Sequence, residues 1–86
     1  MTKAEKALDK LKAKPTPASI KWSELCTALG HLGYEIVNGT GSRRKFYNKE
    51  RDLLINCHEP HPSPDVDKGA IADVVGHLRE NGLLDD

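Results

Sequence analysis

Arg43, Lys45, His58 and His61 are the residues whose types and spacing suit chemistry on a phosphodiester. Imidazole moves protons near neutral pH, because its unperturbed pKa is about 6.5. Guanidinium and ammonium groups hold phosphate, and the planar fork of arginine grips two oxygens at once. Cleaving RNA without a metal needs three parts: a base for the 2′-hydroxyl proton, an acid for the leaving oxygen, and a cation for the charge that builds on phosphorus. The cations stand in one run, Arg43-Arg44-Lys45-Phe46-Tyr47, and the imidazoles in another, Cys57-His58-Glu59-Pro60-His61-Pro62. Arginine stays protonated and cannot be the base. Arg43 therefore reads as a phosphate holder or a plain surface cation, with Arg44 and Lys45 as helpers. His58 and His61 read as the nearby acid–base pair, or as a strand-end histidine and a loop histidine without catalytic duty. His31 and His77 fall in helical stretches and read as surface residues.

These residues need elements to position them. Asn38-Gly39-Thr40-Gly41 is turn chemistry, and Asn-Gly is a strong hairpin signal. A short strand, Tyr34 to Val37, enters the turn, and a second, Ser42 to Asn48, leaves it. Side chains alternate along a strand, so Arg43, Lys45 and Tyr47 share one face and Arg44 and Phe46 the other. Phe46 is expected in the core, which leaves Arg43, Lys45 and Tyr47 on an open face. After the polar turn at residues 49–52, a third strand runs from Leu53 to His58. It has Leu53, Ile55 and Cys57 on one side and Leu54, Asn56 and His58 on the other. Residues 59–64 hold three prolines and cannot be regular structure.

Helices supply the cover. Trp22, Leu25, Leu29 and Leu32 repeat at helical spacing, and Gly33 stands where a helix end tolerates positive φ. Ile71, Val74, Val75 and Leu78 form the apolar face of a last helix. Asp65 or Asp67 can cap it, and Leu83-Leu84 pack back after Gly82. Residues 2–14 predict a further, lysine-rich helix with a thin apolar stripe of Ala4, Leu8 and Leu11, ended by Pro15-Thr16-Pro17. Its lysines read as a solvated face. The expected order is α-α-β-β-β-α: an α+β fold with a three-stranded antiparallel sheet, helices on one face and the other face open. Residues 1–17 form the N-terminal helix and proline linker, and residues 18–86 the domain proper.

Eighty-six residues make one small domain, with 37% hydrophobic and 30% charged residues. Nothing reads as a signal peptide or as the apolar run of about 20 residues that spans a membrane, so a cytoplasmic protein is expected. The two cysteines, Cys26 and Cys57, read as reduced thiols. The formal net charge of zero hides an asymmetry. Residues 1–51 hold eleven Lys or Arg against five Asp or Glu, and residues 52–86 hold two against eight. A basic half of this kind is compatible with nucleic acid if it forms one face. A metal site at Cys57-His58-Glu59-His61 is not expected, because strand neighbours point to opposite faces while zinc wants four ligands around one point. No cofactor is expected. Trp22 reads as core.

Four motifs in order resemble the HicA family of toxins from bacterial toxin–antitoxin pairs: Leu32-Gly33-Tyr34, Gly41-Ser42-Arg43, His58-Glu59-Pro60-His61-Pro62 and Lys68-Gly69-Ala70-Ile71. The resemblance covers about residues 20–84. It implies a fold like that of double-stranded-RNA-binding domains, cleavage of mRNA without a metal, and a HicB-type antitoxin that holds the toxin inactive. The family's catalytic histidine lies in a Gly-Ser-His motif, and here Arg43 takes its place. The implied RNA contacts are Arg43, Arg44, Lys45 and Tyr47, and the implied catalytic set is His58, His61 and Arg43. Two readings stay open: an endoribonuclease toxin, or a HicA-like module that binds RNA or protein without cleaving.

Overall fold

The computed structural model describes residues 2–13, 16–41, 43–60 and 63–84. His61, Pro62 and Ser42 lie outside the described residues. Helix α1 (Lys3–Lys12) is followed by β1 (Ser19–Lys21), α2 (Trp22–His31), β2 (Tyr34–Asn38), β3 (Arg43–Asn48), β4 (Leu53–His58), β5 (Asp65–Asp67) and α3 (Lys68–Glu80). The fold is α+β, and β2, β3 and β4 form a three-stranded antiparallel sheet in that order. The expected helix–sheet scheme is present with one addition. Strands β1 and β5 pair antiparallel in a separate two-stranded sheet, with Ile20 opposite Val66. Three residues carry no periodicity, so no sequence pattern announced them; they form because Ile20 and Val66 are both buried.

Local chemistry explains where the elements stop. Gly33 has φ +97°, a conformation costly for any residue with a Cβ, and it turns the chain out of α2 into β2. Asp67 caps α3 by accepting the Ala70 N–H at 2.8 Å. Thr2 does the same for α1 with the Glu5 N–H at 3.1 Å. The Trp22 N–H at the start of α2 donates to the Pro64 carbonyl at 2.7 Å, tying the loop before β5 to that helix.

The core lies between the inner face of the three-stranded sheet and the helices. Phe46 and Ile55 from the sheet meet Leu25, Leu29, Ile71, Val74, Val75 and Leu78 from α2 and α3. Trp22 packs its ring 5.4 Å from that of Phe46. Leu84 is buried, as expected for a tail that folds back. Ala7, Leu8 and Leu11 of α1 join the same core, with α1 packed against α2 and α3. Among the described residues no helix is long and apolar enough to cross a membrane.

Candidate nucleic-acid interface and catalytic face

The turn between β2 and β3 sets the position of the first cation. The Gly39 N–H donates to the Arg43 carbonyl at 2.9 Å, and the Arg43 N–H to the Thr40 carbonyl at 3.2 Å. Gly41 takes φ +62°, so the reversal turns on Gly41 and not on the Asn38-Gly39 pair. Gly39 is needed for another reason: a Cβ there would sit 3.2 Å from the Cβ and carbonyl oxygen of Arg43. Arg43 is thus fixed as the first residue of β3.

Register does the rest. Arg43 stands opposite His58, Lys45 opposite Asn56 and Val37, and Tyr47 opposite Leu54 and Glu35. All of these belong to the sheet face that the helices leave open. Cross-strand partners have Cβ atoms about 4.5–5.5 Å apart, so Arg43 and His58 are direct neighbours on this face. Arg43, Lys45, Asn56 and His58 line one depression of about 460 Å³ with the Gly39-Thr40 turn, and Arg44 and Cys57 of the same two strands border it. Val37 and Leu54 are exposed large hydrophobics on the same face.

Tyr47 presents its ring to this face, and its hydroxyl donates to Asp52 Oδ1 at 3.1 Å. That bond, then the charge of Asp52, raises the Tyr47 pKa, so the phenol stays protonated. Asp52 adopts φ +53° in the turn between β3 and β4, a left-handed conformation that Asp tolerates better than most residues.

Arg44 borders the same depression, but its head group is engaged by the protein itself. Its side chain lies on the other face, where Nη1 donates to the carbonyls of Gly41 and Arg43 at 2.8 Å each. Its Nε is 3.3 Å from Glu59 Oε1. Arg44 thus braces the turn that carries Arg43. Cys57 also faces inward, where burial pushes its thiol pKa up. Burial likewise pushes Cys26 up to about 11. Thiols in that state are poor nucleophiles at neutral pH. Among the described residues no three His, Cys, Asp or Glu side chains gather as a metal set. His61 follows His58 by three positions and lies outside the described residues.

Two residues have roles that sequence reasoning missed. His77 is half-buried and not a surface residue: its Nε2 lies 2.9 Å from the Tyr34 hydroxyl, joining α3 to β2. Asn48 is buried at the end of β3 and bridges the end of α2 to the next turn. Neither has a local signal; both depend on pairing across more than a dozen residues.

A family profile described as the HicA toxin of bacterial toxin-antitoxin matches residues 22–83. That is most of the chain, from the first residue of α2 to the segment after α3. The chain belongs to the HicA toxin family. No curated protein and no solved structure matches it. The protein is therefore a toxin of a toxin–antitoxin system, and a cognate antitoxin is its counterpart. The profile begins after α1, so that helix and Lys21 precede the matched segment.

Proposed function

We propose that this HicA toxin binds mRNA across the open face of its sheet and cleaves it, and that a HicB-like antitoxin blocks the same face. The observation that carries the reading is the cross-strand pair of Arg43 and His58, with Lys45 beside it in one depression. Arg43 holds the scissile phosphate. An imidazole takes the 2′-hydroxyl proton, the 2′-oxygen attacks phosphorus, and the bond to the 5′-oxygen breaks as a second imidazole protonates that oxygen. The products are a 2′,3′-cyclic phosphate and a 5′-hydroxyl. His58 supplies one imidazole and His61 the other, and the scheme requires no divalent metal. Lys45 binds a neighbouring phosphate, and the Tyr47 ring offers a surface on which a base can stack. The cytoplasm, where mRNA is translated, is the compartment this activity requires.

One observation favours a second reading, a module that binds without cleaving: arginine occupies position 43, where the resemblance places the family's catalytic histidine. Induced expression without an antitoxin separates the two, scored by growth and by intact mRNA. The cleaving reading expects arrest by the parent. His58→Ala and His61→Ala should each lower cleavage by about 10²-fold or more, the scale of a lost general acid or base. Arrest that survives loss of both histidines would refute the assignment. No arrest by the parent, with arrest by Arg43→His, would establish the binding module instead.

A further inference from the structure

A second basic surface lies among the helices, apart from the open sheet face. Lys3, Lys6 and Lys10 fall on one stripe of α1, at the spacing that places side chains one above another. They border a groove of about 580 Å³ whose other wall is Lys21 of β1 with Ser23, Glu24 and Thr27 of α2. Glu24 is the single carboxylate among the described lining residues, and it pairs with Lys10. The hydrogen bond from Lys10, with a smaller pull from Lys21, holds the Glu24 carboxyl below its ordinary range, so it is ionised and offsets one of the four lysine charges. Lys3, Lys6 and Lys21 make no ion pair among the described residues.

The stripe is held in place. Thr2 caps α1, and burial of Ala7, Leu8 and Leu11 stops the helix from rolling. Seven residues at a rise of about 1.5 Å set Lys3 and Lys10 about 10 Å apart along the axis. Lys6 lies about 4.5 Å from Lys3 along the axis, so the two ammonium groups stand side by side on one helix face, where successive phosphates of one strand can meet them. Ala7 is the sole apolar residue among the described lining residues and is itself buried, so they offer nothing to insert into a lipid layer. Lysine ammonium groups contact phosphates as point charges and carry no base information.

We propose that this groove is a second RNA site that grips the phosphate backbone without sequence preference. It extends the footprint of the toxin along its message beyond the sheet face, and it is an addition made by α1 to the family domain. The proposal rests on RNA being the ligand of the sheet face, and the test keeps the two apart. Fluorescence anisotropy with a long single-stranded RNA, 2′-O-methylated so that it cannot be cleaved, gives the slope of log affinity against log salt. Each lost phosphate contact lowers that slope by about 0.7 on a single strand. Lys3→Ala/Lys6→Ala is expected to lower it by about 1.4, and so is Arg43→Ala/Lys45→Ala. Alanine is the best helix former, so α1 survives the first change, which a melting curve checks. Lys3→Arg/Lys6→Arg should keep the parental slope; a loss there would overturn the charge argument. If the α1 pair leaves the slope unchanged while the sheet pair lowers it, the groove proposal falls and the sheet reading stands. If only the α1 pair lowers it, the groove stands and the sheet reading falls. Loss of binding to phosphatidylserine vesicles, with RNA binding intact, would overturn the proposal in favour of a membrane surface.

Discussion

Replacing Asn48 by aspartate tests whether one buried amide locks the helical layer to the sheet. Asn48 is 2% exposed. Its Nδ2 donates to the Leu32 carbonyl at 3.2 Å, and its Oδ1 accepts the Arg51 N–H at 3.1 Å. Leu32 caps the end of α2 and Arg51 lies in the turn before β4, so one side chain fastens both. Asn48→Ala removes two bonds of about 0.5–1.5 kcal/mol each and leaves two backbone groups in need of partners. A loss of about 2–4 kcal/mol follows. A chain of this length holds about 4–13 kcal/mol in all. Asn48→Asp keeps the size and the acceptor for Arg51, but it turns the donor into an oxygen facing the Leu32 carbonyl. Burial and that carbonyl both raise the pKa of the new carboxyl above its unfolded value of about 3.9. A raised acid pKa means that the folded state binds more protons. The stability of the variant is then fully present below about pH 4 and lost as pH rises through the folded pKa. If the shift is about 2 units, the loss reaches about 2.7 kcal/mol at neutral pH. Other carboxylates titrate in both proteins, so the difference between variant and parent isolates this one. Urea unfolding followed by circular dichroism, at about pH 7 and about pH 4.5, measures it. A deficit equal at both pH values, or larger in acid, would refute the buried-bridge account.

Phe46→Ala removes a ring that is 1% exposed and packed against Trp22, and it should cost about 3–5 kcal/mol in urea unfolding. An unchanged midpoint would mean that the ring faces solvent. Iodoacetamide should label the folded protein more slowly than a free thiol of pKa about 8.5, since burial raises both cysteines. For Cys26, raised to about 11, the rate should keep climbing about tenfold per pH unit through the alkaline range; a plateau near pH 9 would contradict it. Arg43→Glu should weaken the complex with the cognate antitoxin by about 2–5 kcal/mol in calorimetry if the antitoxin buries that charge. Unchanged affinity would move the interface off the sheet face.

Much of the architecture was legible because its signals are local. The apolar spacing of Trp22, Leu25 and Leu29, the positive φ of Gly33, and the alternation of Arg43, Lys45 and Tyr47 against Phe46 each need only a few residues. All appear where the pattern put them. The pairing of Arg43 with His58 follows once the turn at residues 49–52 sets the register. What escaped is what the chain makes at a distance. The strands β1 and β5 lie more than forty residues apart and are too short to show a period. The bond between Tyr34 and His77 spans 43 positions. Arg44 was correctly set on the inner face, but its duty there depends on where the turn carbonyls and Glu59 fall.

Arg43 changes how the work must be shared on this face. The members of a cross-strand pair are direct neighbours, and the identity of the two side chains decides what can be done to an anion they meet. With histidine at both positions, the pair would hold acid and base together and leave the phosphate to Lys45. With arginine at one, the pair offers a two-pronged phosphate grip but carries a single imidazole. Under the cleaving reading a second proton carrier comes from further along the chain, and His61, three residues past His58, is the nearest imidazole in sequence. The brace that Arg44 makes to the Gly41 and Arg43 carbonyls fits this division, because a phosphate grip is useful only if its backbone does not shift. Under the cleaving reading position 43 is where affinity and turnover are traded; under the binding reading it serves affinity alone.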